Sequence, residues 1–447
     1  MPENKKILVI GAGPSAYITA LTCIEHKCSV TVANPNLKKW KNISDSTLLR
    51  KIILKKRFAF NDNYKVPNEI VKFHSKKIDL YENFNAGGLS NIWGGVFLPP
   101  NMAEFEFGTK LQKEFLDAIS YIENIVPLQN RESAIYQTLL MGERRPISIE
   151  EAATIAVDSF DEKVHWSGAI LENKPEFKTV RFIDAFVESL VQLPNGQVQV
   201  ELISDSNNAH FETFDKVFIG AGVFGTARIL LNSLADHTSF VVLDSGVTTC
   251  LALKSKSKSN KKLDLRMVPD SIYINKSSDG KTQGYAQTYK MSTELIESFK
   301  YKKMHKLIAK VLTILKLNLR LVLFFHQTND SPKIVLFKKH QHLTAKSLRE
   351  KYHFKSMLKM ALFCLEARYI PLTPFIKLRP GAGVHSGGFI RVNTLDHKGT
   401  LDLDLANWNN VHVVGSATSP IIPTGPIMLT LMANSRVITV NSLKDFD

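Results

Sequence analysis

Ile7-Leu8-Val9-Ile10-Gly11-Ala12-Gly13-Pro14-Ser15-Ala16 is the stretch that decides the fold. Four apolar residues in a row suit a strand buried on both faces. The chain then turns on glycine, and Ile18 to Ile24 reads as a helix of small and apolar residues. Val30-Thr31-Val32 is the next strand, so strand, turn, helix and strand fit within about 30 residues, the size of one βαβ unit. Gly11 permits the tight turn, Gly13 lets backbone approach a pyrophosphate, and Ala16 allows close packing of helix on strand. Pro14 and Ser15 open the helix, whose free N–H groups and partial positive charge suit phosphate oxygens. This spacing predicts a dinucleotide site. An acidic residue about 20 positions further on usually holds the ribose. Asn34 stands there instead, after Val32 and Ala33. Its amide can bond a ribose hydroxyl, without the charge-assisted strength of a carboxylate.

The chain around this unit has 447 residues, enough for two domains and a substantial core. With 44% hydrophobic and 22% charged residues it is neither a disordered chain nor a small disulfide scaffold. Cys23, Cys28, Cys250 and Cys364 show no zinc spacing and no disulfide framework, which points to no metal and a reducing cytoplasm. Lys5 and Lys6 before an apolar run imitate a signal peptide, but Gly11 to Pro14 break the run and no cleavage-like site follows. No uninterrupted apolar stretch of about 20 residues predicts a membrane span. The charge is uneven. Residues 254–359 hold 24 Lys/Arg and 7 Asp/Glu, a net of +17, against +15 for the whole chain, so the remainder carries −2. A region this basic can face nucleic acid, an anionic membrane or an anionic substrate.

Further along, a helix is expected over about 105–125 and a β-hairpin over 180–203 around Pro194-Asn195-Gly196. Val217-Phe218-Ile219 reads as a buried strand that runs into Gly220-Ala221-Gly222 and a helix through Leu231. Residues 254–262 read as an exposed basic loop, and 263–290 as strands. A leucine- and lysine-rich helix is expected over 294–324, then a strand pair of Leu321–Phe325 with Ile334–Phe337, and a helix over 344–367. The last part reads as a strand at Val411–Val414, a Pro-rich loop and a long helix from about Ile427.

Three more segments turn a dinucleotide site into a family resemblance. Gly87-Gly88-Leu89-Ser90-Asn91-Ile92-Trp93-Gly94-Gly95 resembles the glycine-rich second motif of glucose-methanol-choline (GMC) flavoenzymes, in the bacterial sub-branch with Asn and Trp-Gly in this segment. Ile219 to Gly222, with Thr226, Arg228, Leu230 and Ser233, is similar to that family's strand-to-helix segment near the adenine. His385-Ser386-Gly387-Gly388, Asn410 to Ser416, and Pro420 to Ala433 look like its C-terminal signature. The match covers about half the chain in the family's order, and residues 254–376 match nothing nameable.

The resemblance implies an α/β fold: a Rossmann-like FAD domain from 1–104, 179–253 and 377–447, and a mixed α+β substrate domain from 105–178 and 254–376. It implies FAD held by Gly11, Gly13, Pro14, Ser15, Ala16, Asn34, Gly87, Gly88, Ser90, Asn91, Trp93, Gly94, Ala221, Gly222, Gly415, Ser416 and Ile427. No Cys or His lies in the second motif to tether the flavin, so the cofactor is expected to be non-covalent, although His74 is not far upstream. His385 stands at the family's catalytic histidine, and an imidazole of pKa about 6.5 can take a hydroxyl proton at neutral pH. The family's second His or Asn falls on Pro426, which has no hydrogen-bonding side chain. The family's Asp before the cofactor-contacting loop is Gly415 here, with Ser416 next to it.

The expected activity is oxidation of an alcohol on a sugar, sugar nucleotide or lipid-linked glycan. A redox-silent flavin-fold protein that binds a membrane or a partner is the alternative left open. Within 302–324, Leu307, Ile308, Val311, Leu312 and Leu315 fall at helical spacing among lysines. They fit a core helix with a solvated face, or an interfacial helix on anionic lipid at the inner face of a membrane. No aromatic-interleaved or recognition-helix pattern supports nucleic acid.

Overall fold

The computed structural model describes residues 5–35, 73–74, 78, 85–91, 96–105, 109–129, 147–148, 154–156, 168–170, 172, 174–204, 208–234, 239–254, 271–276, 281–290, 311, 319–327, 331, 333–339, 342–347, 353–381, 385–388, 408–419 and 422–444. The chain opens with β1 (Lys6–Ile10), α1 (Pro14–Glu25) and β2 (Ser29–Ala33), and α2 (Thr109–Ile125) follows. Next come β3 (Arg181–Ile183), β4 (Ala185–Gln192), β5 (Val198–Ser204), β6 (Ala209–Phe214), β7 (Lys216–Ile219) and α3 (Gly222–Ser233). The middle holds β8 (Ser239–Asp244), β9 (Val247–Lys254), β10 (Ser271–Lys276), β11 (Thr282–Lys290), β12 (Leu319–His326), β13 (Lys333–Lys339) and β14 (His342–Ser347). The last elements are α4 (His353–Glu366), β15 (Tyr369–Pro371), β16 (Ser386–Gly387), β17 (Val411–Val413) and α5 (Met428–Leu443).

A five-stranded parallel sheet, in the order β17-β7-β1-β2-β3, carries the glycine turn. Apart from the edge strand β3, its strands are buried on both faces, as the unbroken apolar run predicts. Ile7 and Val9 pack with α1, α2 and α5, while Leu8 and Ile10 pack with α3 and the hairpin strands β4 and β5. Lys216 is a buried cation inside this sheet, at 1% exposure. Its Nζ donates to the Ser442 carbonyl in the last turn of α5, 2.6 Å away, where a helix C-terminus leaves carbonyls unpaired and favours positive charge.

A second sheet runs β15-β9-β12-β11-β10 and ends on the short strand Ile147–Ser148. A third runs β16-β8-β13-β14 and ends on Phe73–His74. The helix expected over about 105–125 runs from Thr109 to Ile125, the strands expected over 263–290 are β10 and β11 from Ser271, and the hairpin β4–β5 and the strand-loop-helix ending are present. The middle of the chain differs from its sequence reading. Leu319 and Arg320, expected at the end of a helix, belong to β12, which also holds the expected strand Leu321–Phe325. β12 and β13 do not pair with each other: β12 lies between β9 and β11, and β13 between β8 and β14. The helix expected over 344–367 is the strand β14 followed by α4. Leucine and valine runs suit either element, and the sheet partners that decide between them are remote in sequence. Of the loop expected at 254–262, Lys254 ends β9 and the rest lies outside the described residues, as do 294–310 and 312–318 of the expected helix.

Candidate functional site

The glycine turn works as its spacing predicts, through backbone. Gly11 has φ +103°, and a Cβ there would overlap the Gly220 carbonyl. Its N–H donates to the Ala33 carbonyl at 2.8 Å, which ties the turn to the end of β2. Gly13 differs. A Cβ there would meet nothing nearer than the Gly87 carbonyl oxygen, 3.8 Å away. The protein's own packing does not require glycine at 13, so the open space beside it serves something else. Ala16 packs against Gly220, where an added Cβ would stand 3.2 Å from the Ala16 Cβ.

The second glycine motif closes onto the first. Gly87 N–H donates to the Ala12 carbonyl at 2.6 Å, with Gly87 and Gly88 at φ +94° and +54°. Ser90 donates to the Gly87 carbonyl at 2.6 Å and accepts from Gly168 N–H at 3.0 Å, which locks the motif. Gly415, at φ +86°, lies against Ser15, and its N–H donates to Ser435 Oγ at 3.0 Å.

These segments line an open cleft. Gly11, Gly13, Pro14, Ser15, Asn34, Gly88, Ser90, Ala221, Gly222, Gly415 and Ser416 line it. Three helices begin at its wall: α1 after Gly13, α3 after Ala221, and α5 at Met428. None of the three has a side-chain cap on its first turn. Uncapped N–H groups converging on one space are a ready-made anion site. Together with the opening at Gly13, they fit the pyrophosphate of a dinucleotide. Asn34 ends β2 in the cleft, and its Nδ2 donates to the Pro35 carbonyl at 2.6 Å.

Other expected cofactor residues fall elsewhere. Ile427 packs with Ile422 and Leu431 instead of lining the cleft, while its neighbour Met428 does line it. Asn91 closes the short 3-10 turn Gly88–Asn91. Trp93 and Gly94 lie outside the described residues. Arg228 is a lining residue that the glycine spacing does not reveal. It pairs with Glu188 and also donates to the Val187 carbonyl.

His385 sits next to the cleft rather than in its lining. Gly388 N–H donates to the Ser416 carbonyl at 2.7 Å, and a Cβ on Gly387 would overlap that same carbonyl. The segment 385–388 is thereby fixed on the turn that contributes Gly415 and Ser416. The His385 ring stacks on Phe325, with centroids 4.8 Å apart and planes at 21°. Its Nδ1 is buried with no hydrogen-bond partner. Burial lowers its pKa to about 4, where the sequence reading expected a titration near neutrality. Low-dielectric packing penalises the imidazolium, so the ring is neutral at pH 7.

Behind this segment, Asp244 is 1% exposed. It accepts from Ser386 Oγ at 2.6 Å and from Gly381 N–H at 2.8 Å. Burial pushes its pKa up to about 7, with those two hydrogen bonds and the charge of Lys377 pulling the other way.

The sheet of β9, β11 and β12 stands over His385. Register places Val247, Thr249 and Leu251 beside Phe325, Leu323 and Leu321, and these beside Tyr285, Gln287 and Tyr289. Strand alternation puts all nine on one face. The opposite face, with Cys250, Ala252, Ala286, Val322 and Phe324, packs on Met360, Phe363 and Cys364 of α4. The His385 face holds no charged residue among these nine. Tyr289 donates to Gln287 Oε1, and Gln287 Nε2 donates to the Tyr285 hydroxyl at 2.8 Å. Thr249 Oγ1 is buried without a partner. Tyr285 lies against the loop before α5, since a Cβ on Gly425 would stand 4.0 Å from its Cδ2. Gly425 precedes Pro426, the position that lacks the family's second hydrogen-bonding side chain. The sequence predicts strands over 263–290 without singling out these three residues.

No family model and no curated protein matches this chain. Solved structures do match over its whole length. Formate oxidase from Aspergillus oryzae RIB40, in a study of FAD modification, superposes with TM-score 0.65 at 11% identity, covering 100% of both chains. A second formate oxidase structure gives 0.64 at 10% identity, again over 100% of both chains. Pyridoxine 4-oxidase from Mesorbium loti gives 0.60 at 11% identity, covering 98% of this chain and 99% of that one. The chain therefore shares the overall α/β fold of these oxidases, with a Rossmann-like parallel sheet.

Proposed function

We propose that the protein is an FAD-dependent oxidoreductase that oxidises an alcohol group, with His385 as the proton acceptor. The observation that carries this reading is the convergence of three uncapped helix N-termini on the opening beside Gly13. Gly13, Ser15, Gly88, Ser90, Ala221, Gly222 and Gly415 would hold the cofactor, non-covalently. FAD, when bound, supplies the hydride acceptor. The protein's own residues bind and orient the alcohol and remove its proton. His385 is neutral at physiological pH and offers a ring nitrogen as acceptor. Phe325 fixes the plane of the ring. The uncharged face of Tyr285, Gln287, Thr249 and Leu323 favours a neutral alcohol, such as a sugar or the sugar end of a lipid-linked glycan, over a sugar nucleotide. The basic stretch 254–359, at a net of +17, would draw the chain to an anionic surface.

The test is an absorption spectrum of the purified protein, followed by anaerobic addition of a panel of neutral alcohols and sugars. Oxidised-flavin bands that bleach with one of them are expected, and FAD should stay in the supernatant after acid precipitation of the chain. A protein without flavin overturns the cofactor reading. A flavoprotein that no alcohol bleaches favours the redox-silent alternative, which Pro426 suits.

A further inference from the structure

Helix α4 is apolar on two sides. Met360, Phe363, Cys364 and Ala367 are buried against the sheet. Phe354, Leu358, Leu362 and Leu365 point away from it and are 81%, 49%, 50% and 74% exposed. At about 100° per residue these four fall within an arc of about 80°. Ile370 and Leu372, at 58% and 37% exposure, extend the stripe along the neighbouring edge strand β15. Six of the eleven exposed large apolar side chains of the described residues therefore lie on one element and its neighbour. Scattered exposed leucines are ordinary, but a contiguous ridge is a contact surface.

The rim of the ridge is basic. Arg368 is exposed directly after α4, Lys359 lies on the helix beside the stripe, and Lys254 Nζ stands 5.7 Å from the Tyr369 ring centroid next to Ile370. Glu366, the acidic residue of α4, is held by the Tyr273 hydroxyl. Residues 344–380 carry eight Lys/Arg against two Asp/Glu.

We infer that the ridge of Phe354, Leu358, Leu362, Leu365 and Ile370 inserts into the interface of an anionic lipid surface, with Lys254, Lys359 and Arg368 meeting the headgroups. Two features select this occupant. Its two most exposed side chains, Phe354 and Leu365, stand beside a basic rim, which suits insertion between anionic headgroups. A second copy paired across it would bring the same basic rim against itself. The inference rests on the anionic-surface reading of the basic region and adds the apolar element that anchors it. It relocates that element from the 302–324 segment to α4 and β15.

The test is sedimentation of the full chain with phosphatidylcholine vesicles, with and without phosphatidylglycerol. Wild type should pellet with the anionic vesicles and less so as salt rises. Phe354→Ser/Leu365→Ser should weaken binding at least about tenfold, with unchanged thermal unfolding and flavin content. Phe354→Trp should shift its emission to the blue on anionic vesicles and be quenched by brominated lipid. If the double variant binds as wild type does, the electrostatic reading survives and the ridge does not. If wild type stays in the supernatant, both fall. A wild-type dimer that becomes a monomer in the double variant assigns the ridge to self-association and overturns the inference.

Discussion

The cleft and the wall above it are built from different material. Around Gly13 the contacts are backbone: glycine turns, carbonyls and helix N-termini. Around His385 they are side chains from three separate strands, together with a buried carboxylate. A backbone site depends on where a side chain is absent, so it reads directly as glycine spacing. A side-chain site depends on which strands pair.

Gly11 and Gly13 break or sharpen the first half of this comparison. Gly11→Val should cost more than about 4 kcal/mol, because it combines a clash with backbone and a positive φ. Urea melts would measure it. Gly13→Val should melt close to the wild-type apoprotein yet carry no FAD after purification, since its side chain enters the cofactor's space. Equal destabilisation by both would make Gly13 a packing glycine and remove the main support for the cleft.

His385→Ala tests the wall. It should keep the flavin spectrum and lose about 10²–10⁴ in the rate of flavin reduction. With a folded pKa of about 4, the wild-type rate should be flat across neutral pH and fall only in acid, as the ring gains its proton. A rate that instead rises through an ionisation near 6.5 would mean that the ring is solvated.

Asp244→Asn isolates the support beneath His385. The Asp244 pKa is raised above that of an unfolded carboxyl, so the folded state holds the proton more tightly between about pH 4 and pH 7. Stability should therefore fall as pH rises through that window, by on the order of 4 kcal/mol. The asparagine variant should lose most of this dependence. An unchanged slope in thermal melts would assign it to other groups.

The smallest effect is expected at Tyr285. Its hydroxyl accepts from Gln287, and its ring lies against Gly425, the residue before Pro426. Tyr285→Phe should raise KM for the alcohol by about tenfold or less, the scale of one hydrogen bond, with the flavin spectrum unchanged. No change in kcat or KM would show that the hydroxyl faces only Gln287.

The sequence by itself determined the βαβ start, the glycine motifs and the fold class, because short-range spacing and missing side chains write these directly. Strands over 263–290 were legible too, but not the face that Tyr285, Gln287 and Tyr289 share. Only the tertiary structure decided that β12 lies between β9 and β11, that Phe325 stacks on His385, and that Asp244 supports Ser386 from 142 residues away. The exposed ridge of α4 belongs with these. Leu358 and Met360 look alike in sequence, and only the sheet packed against one side of the helix makes one of them core and the other surface. Hydrophobicity states that a residue prefers burial, and the pairing of strands remote in sequence decides which residues are buried.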